Sequence, residues 1–543
     1  MNRKFLPDTR RTVGVFFALA VSSATLAMAP VVAWAEPAPA ISADESKEYF
    51  DVWEYQVEGN SLLPTEDIER AVYGHLGEHK SIDDVTAAQQ QLEALYHSRG
   101  YGTVLVDIPE QDVVGGVIRL KITEATVGKV TVTGSRYFSL GKIKAAVPSL
   151  GVGQAPHLPT VQKELAALGN VSRDRAITPV LKPGKTPGKL EVELKVKDEL
   201  PIHGSIAVDD RFSADTTRTR ISTNVSYDNL WQRGHSIGAS YLFSPENPDE
   251  VEVLSGNYLW RFQNIDHLLS LYAVRSNSNI ATVGTLGVLG NGTIAGLRYT
   301  VPLRALGTYF HSVTIGFDYK DFGESIGLQG NDTINTPISY SKFNAAYSGT
   351  LYGKESVSHY DLSLQFGVRG LGNNAKQFES KRFRAIPDFA YLHLSFDREQ
   401  PLWKGVRIFG RLEGQAANSP LISNESYAAG GVANVRGYLE SEKQGDDALS
   451  STLELRYPEL RPTNWDWLKQ LEIFAYTDAT GLRVRRALPG VQETSLLWST
   501  GMGLRLTGFD SINALLVWGY PLRSSDRTKE GDERVHFSVG YDF

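Results

Sequence analysis

The chain has 543 residues and a formal net charge of −7, long enough for two or three domains. The acidic balance argues against a nucleic-acid partner, which favours a basic surface. The absence of cysteine excludes a disulfide framework and a thiolate metal site.

One apolar run of membrane-spanning length stands at the N-terminus. Arg3, Lys4, Arg10 and Arg11 form a basic start, and Val13 to Ala29 is apolar. Ala33-Trp34-Ala35 then gives the small-x-small cleavage pattern, which predicts a signal peptide over 1–35 and a mature start at Glu36. The flanks of Arg10-Arg11 fit a twin-arginine signal poorly. Residues 36–51 read as a linker or short helix, with room over Ile41–Tyr49 for about two helical turns.

Two α/β units follow, over 52–125 and 126–200. In the first, Trp53–Glu58 reads as a strand ending at the turn pair Gly59-Asn60. Pro64–Tyr73 reads as a helix with Thr65 as N-cap. Ile82–His97 reads as a second helix, with Val85, Ala88, Leu92 and Leu95 at helical spacing and Gly100 as its stop. Thr103–Ile108 and Val117–Ile122 read as strands. The order then recurs with a period of about 75 residues, and such a repeat fixes the architecture. Val130 to Ser135 echoes Tyr55 to Asn60. Leu140–Val147 and Pro159–Leu168 take the helical places, and Ile177–Lys182 and Leu190–Val196 take those of the strands.

One catalytic-looking motif falls between the first two helices. His75-Leu76-Gly77-Glu78-His79 spells H-x-x-E-H, a zinc-peptidase pattern. Zinc chemistry would need both histidines on one helical face. Gly74 and Gly77 interrupt the stretch, so it reads as a polar loop between helices. No catalytic residue, cofactor or metal ligand is expected anywhere in the chain.

From 201 to 543 helical periodicity gives way to alternation, which puts one set of side chains on each face of a strand. Ile237, Ala239, Tyr241 and Phe243 alternate with polar or small residues. So do Val313, Ile315, Phe317 and Tyr319, and, most regularly, Val535, Phe537, Val539, Tyr541 and Phe543. A soluble sandwich would alternate too. The signal, the terminal aromatic and the polar inner positions favour an antiparallel transmembrane barrel. Some 340 residues at roughly 21 per strand and connection give about sixteen strands. Tyr227, Trp231, Trp260, Trp518 and Tyr520 suit interfacial girdles. Phe537, Tyr541 and Phe543 resemble the C-terminal signal read by the barrel-assembly machinery.

Two such units before such a barrel resemble POTRA domains, and the whole mature chain is similar to the two-partner-secretion transporters of the ShlB/FhaC/HecB (TpsB) family. The sharpest local match is Gly430-Gly431-Val432-Ala433-Asn434-Val435-Arg436-Gly437-Tyr438, which holds the V-R-G-Y signature. Asn229 to His235 resembles the turn after the first barrel strands. Ile177 to Gly184, after Ser172-Arg173, resembles the end of the second POTRA. The resemblance implies a loop around 425–445 folded into the lumen, carrying Val435, Arg436, Gly437 and Tyr438 behind the loop glycines Gly430 and Gly431. It also implies an aspartate partner for the arginine in an F-x-D-x-G pattern. Tyr476-Thr477-Asp478-Ala479-Thr480-Gly481 is the nearest match, with Tyr for Phe and the glycine one residue late, so Asp478 is the expected partner. The segment before Val52 is shorter than the plug helix and linker of many members.

The function so implied is export of one large, unfolded partner protein, of adhesin, haemolysin or toxin type, through the Gram-negative outer membrane. The α/β units would stand in the periplasm. The expected surroundings are outer-membrane lipid and lipopolysaccharide, with the barrel-assembly machinery acting during biogenesis. An insertase for other barrels is the alternative, and its relatives carry more POTRA units. A solute porin fits less well because porins lack such units. A lipase-fused relative is excluded, since no G-x-S-x-G domain precedes the units.

Overall fold

The computed structural model describes residues 48–543 apart from 215, 263–264, 279–280, 284–285, 289–290, 324, 328–332 and 462–464. The expected signal peptide and most of the linker lie outside the described residues. The chain divides into two compact units at Leu200/Pro201.

In the N-terminal unit the first repeat runs Phe50–Val52 (β1), Glu54–Glu58 (β2), Thr65–Tyr73 (α1), Gly77–Lys80 (β3), Ile82–Ser98 (α2), Val104–Asp107 (β4) and Val117–Glu124 (β5). The second runs Thr126–Thr133 (β6), Leu140–Ala145 (α3), Leu158–Val171 (α4), Arg175–Pro183 (β7) and Lys189–Asp198 (β8). The two sheets have one topology. In β2-β5-β4 and β6-β8-β7 the outer repeat strand pairs parallel to the centre and the inner hairpin antiparallel. Alternation on β5 buries Ile118, Leu120 and Ile122 against Val85, Leu92 and Tyr96 of α2. The second core repeats this with Val192, Leu194 and Val196 against Ile143 and Val161.

The repeat extends to turn chemistry. Gly59 and Gly134 follow β2 and β6 at φ +90° and +82°. A Cβ on either would collide with a backbone carbonyl, of Ile122 in one copy and Val196 in the other, so both need glycine. A carboxylate from the end of the central strand then caps each turn. Glu124 accepts from the Ser61 and Leu62 amides at 2.8 and 3.0 Å. Asp198 accepts from the Arg136, Tyr137 and Phe138 amides at 2.9, 2.9 and 3.3 Å and from the Ser135 hydroxyl at 2.7 Å.

Burial would raise the Asp198 carboxyl, but the bonds from Tyr137, Arg136, Ser135 and Phe138 outweigh it and hold the group below its ordinary value. A carboxyl depressed by folding stabilises at neutral pH, and the gain is lost as pH falls through the carboxylate range. Asp198→Asn is expected to cost about 1–2 kcal/mol at pH 7, solvent screening allowed for, and little at pH 3. Urea midpoints of a fragment spanning 48–200 at the two pH values measure this; an equal loss at both would refute the capping account.

Two local expectations need correction. Thr65 is the first helical residue, and the N-cap position is Pro64, which makes no side-chain cap; a proline just outside the helix fixes the entry by its restricted φ. His75–His79 is only in part a loop: His75 and Leu76 lie in the turn, and Gly77 to His79 do not. Gly77–Lys80 is a strand paired with Phe50–Val52, so the linker predicted as coil or helix ends in β structure. His75 meets Gln91 at 2.7 Å, whereas His79, at φ +61°, stacks on Tyr49. The two histidines do not share a helical face.

The C-terminal unit is a closed barrel of sixteen strands. They are Ile202–Asp209 (β9), Arg220–Leu230 (β10), His235–Phe243 (β11), Glu252–Arg261 (β12), Leu268–Asn277 (β13), Gly292–Pro302 (β14), Tyr309–Phe322 (β15), Ile338–Tyr352 (β16), Val357–Gly367 (β17), Ala390–Pro401 (β18), Arg407–Ala417 (β19), Asp447–Arg456 (β20), Leu468–Arg483 (β21), Thr494–Gly508 (β22), Ile512–Pro521 (β23) and Arg534–Asp542 (β24). Every neighbour is antiparallel, and β24 closes on β9. The chain enters at the end with short turns, and the longer connections lie at the other, as in outer-membrane barrels. Asn229–His235 makes one short turn, with Asn229, Trp231 and Gln232 at positive φ.

Alternation sorts the faces. Val313, Ile315 and Tyr319 of β15 are exposed outward, whereas Asp318 and Lys320, on either side of Tyr319, are buried inside. On β24, Val535, Phe537, Val539 and Tyr541 are exposed and His536 is buried. Trp231 and Trp260 lie near the short-turn rim. Trp518 and Tyr520 stand at the opposite end of β23, giving an aromatic belt at each interface. Among the described residues no helix is long and apolar enough to cross a membrane; strands make the crossing.

Candidate functional site in the barrel lumen

The connection between β19 and β20, residues 418–446, folds into the lumen and is mostly buried. A short ribbon pairs Tyr427–Ala429 with Lys443–Gly445. Beyond it the loop turns back at Gly430 and Gly431, with φ +113° and +92°. The signature residues Val435, Arg436, Gly437 and Tyr438 lie at its tip, all buried.

Arg436 meets Asp478 of β21 in a two-point fork. Nε donates to Oδ2 and Nη2 to Oδ1, each at 2.8 Å, and the Arg436 amide donates to Oδ2 at 3.1 Å. The third nitrogen donates to Glu454 Oε1 of β20 at 2.6 Å. The guanidinium lies 3.6 Å from the Tyr476 ring centroid. A planar cation thus finds two carboxylates and an aromatic face, which offsets its lost hydration. The tyrosine at the phenylalanine position of the family pattern keeps the stacking face, and its hydroxyl donates to the Trp518 carbonyl at 3.1 Å.

Small wall residues admit the loop. A Cβ on Gly519 would sit 2.7 Å from the Gly437 amide nitrogen. Gly501 similarly makes room for the Tyr476 ring. Tyr438 is fixed by its hydroxyl, whose single O–H lies between the carbonyls of Arg523 and Trp498, 2.7 and 3.0 Å from its oxygen. Val435 and Tyr438 share an apolar cluster with Leu482 and Leu497.

From Glu454 the charges continue along the wall. Arg456 and Arg505 both donate to it, and Arg505 reaches Glu472 at 2.8 Å. Arg407 bridges Glu472 and Glu399, and Arg456 also reaches Glu399. Sequence reasoning found Arg436 and Asp478 and placed Tyr476 in the pattern without its stacking role, but missed Glu454 and Arg505. Their signal was available: in Leu453-Glu454-Leu455-Arg456 the charges occupy the alternate slots that face inward. The C-terminal residues Phe537, Tyr541 and Phe543 take no part in this site; they are exposed on the outward face of the barrel at its closing strand.

The family model described as haemolysin secretion/activation protein ShlB/FhaC/HecB matches residues 188–506, and one for a POTRA domain, ShlB-type, matches residues 50–125. The chain is 22% identical over 407 residues to the outer membrane transporter CdiB of Dickeya dadantii, covering 73% of this chain and 70% of the relative. It is 19% identical over 413 residues to the heme/hemopexin transporter protein HuxB of Haemophilus influenzae, with the same coverage. Its fold matches the solved CdiB of Escherichia coli at TM-score 0.59 and 18% identity, over 93% of each chain. It also matches BamA of Haemophilus ducreyi lacking POTRA domains 1–3 at TM-score 0.56 and 13% identity, over 91% of this chain and 100% of that one. The chain therefore belongs to the haemolysin secretion/activation protein ShlB/FhaC/HecB family, as an outer-membrane barrel with a ShlB-type POTRA domain in the periplasm.

Proposed function

We propose that this chain exports one specific large exoprotein across the outer membrane, and that the lumen loop gates its path. The observation that carries the reading is the buried arginine of the family signature, forked onto the wall strand β21 inside a sixteen-strand barrel. A loop that fills a lumen and is held there by a compact polar contact is a plug that can be released.

Capture would occur on the α/β units, with domain limits of 52–125, 126–200 and 201–543. Strands β2, β4, β6 and β7 are sheet edges among the described residues. Edges offer main-chain donors and acceptors to an extended segment, the chemistry of β-augmentation. An unfolded partner satisfies that chemistry and a folded one does not. The outward apolar belt would meet lipid and lipopolysaccharide. Phe537, Tyr541 and Phe543 would be read by the barrel-assembly machinery.

Co-expression with candidate exoproteins of the same genome tests this. One of them is expected outside the cell only when the chain is present. If none depends on it, and other barrels fail to assemble in its absence, the chain is an insertase and the export reading is wrong.

A further inference from the structure

The lumen loop is held in two places by unlike groups. Its root carries Glu425 on the short turn Ser423–Glu425, buried against wall strands other than those that hold the signature arginine. Both carboxylate oxygens are occupied. Oε1 accepts from Lys320 Nζ and the Tyr340 hydroxyl, each at 2.6 Å. Oε2 accepts from Lys342 Nζ at 3.1 Å and the Tyr391 hydroxyl at 2.7 Å. These donors come from β15, β16 and β18. Phe378, Phe389 and Ile338 pack in the adjoining apolar cluster. The two ends of the root are also tied. Asp446 accepts a fork from Arg382 at 2.6 Å on each arm, and the Leu421 amide at 2.7 Å.

The tip is held differently. Arg436 has Asp478 and Glu454; if it leaves, Glu454 keeps Arg456 and Arg505, and one buried carboxylate, Asp478, loses the cation it faces. Withdrawal of Glu425 would instead strand two buried ammonium groups beside aromatic walls, with Asp318, 3.9 Å from Lys342, the nearest other carboxylate. Each buried charge left without its partner adds to the cost, so stranding two ammonium groups makes the root the harder contact to break. The backbone between root and tip is also set to bend. Gly430 and Gly431 have positive φ on one side, and Ser441 has φ +55° on the other. Loop ends of this kind absorb the angle change of a hinge.

We propose that Glu425 is a positioning residue that bolts the loop root to the wall, so that loop movement during transport is confined to the tip, residues 430–442, swinging about Gly430–Gly431 and Ser441. The inference rests on the export reading above, in which the loop must move. It adds where the movement starts and which residue sets that limit.

Because the chain has no cysteine, introduced pairs report cleanly. Ser213 and Glu440 are bridge partners between the tip and the first long loop, and Ala428 and Gln444 are partners across the root ribbon; such spacings suit a disulfide. In the full-length chain, Ser213→Cys with Glu440→Cys is expected to cut export about tenfold under oxidising conditions, with recovery in reductant. Ala428→Cys with Gln444→Cys is expected to leave export within about twofold. In planar bilayers Glu425→Ala is expected to raise resting conductance about threefold while the barrel remains heat-modifiable, and Glu425→Asp to restore most of the closure. A blocking ribbon staple, a silent tip staple or an unchanged Glu425→Ala conductance would each overturn the proposal. Absence of export by the unstapled chain would sink the export reading instead, and the bilayer comparison of the two staples would still read the divided loop.

Discussion

Replacing Arg436 with alanine is expected to abolish export while leaving an assembled barrel. The substitution removes three side-chain bonds and leaves Asp478 buried without the cation it faces. Loss of one partner from such a pair costs about 3–5 kcal/mol, roughly a hundredfold to a few thousandfold in the population of the docked tip. The barrel itself closes through its strand ladder, which the loop does not supply. Arg436→Lys should be intermediate, because an ammonium keeps the charge but cannot fork across two oxygens. Export into the medium, beside heat-modifiability of the purified barrel, measures both halves. Wild-type export from Arg436→Ala would remove the loop from the mechanism. Loss of the barrel together with export would make the arginine an assembly residue.

The second large effect is expected at the chain's last residue. Deleting Phe543 should lower the amount of assembled barrel about tenfold. The closing seam between β24 and β9 has five paired positions, whereas β21 and β22 share fifteen. Phe543 extends the short seam. Its amide donates to the Gly204 carbonyl at 2.9 Å, and its carbonyl accepts the Gly204 amide at 3.0 Å. Its ring lies over Gly204, where a Cβ would collide with it. Asp210 ties the other end by accepting the Phe537 amide at 2.8 Å. Gly204→Val should therefore act in the same direction as the deletion, and Phe543→Tyr should be tolerated. Outer-membrane yields of the three variants decide this. Loss in the deletion with a normal yield for Gly204→Val would leave recognition of the C-terminus, without seam closure, as the cause.

Strand alternation was legible because its period is local. Val535 to Phe543 declares which side chains face lipid without reference to any other strand, and the strand count follows from segment length. The α/β repeat was legible for the same reason, down to the glycines at 59 and 134. Capping was harder. Thr65 has the right chemistry one residue too late, and the partner strand that makes β structure of Gly77–Lys80 lies before the first helix.

The site divides along the same line. The V-R-G-Y residues could be read as a loop signature, and Asp478 could be matched by pattern. The sequence by itself determined the barrel, its two faces, the repeated units ahead of it and the arginine that needs an anion. Only the tertiary structure decided which groups answer that need. Glu454 stands 18 residues from Arg436 and Asp478 stands 42, and Lys320 lies 105 residues from Glu425. A buried charge must be paired wherever the closed sheet brings its partner, and closure links strands that the chain order keeps apart.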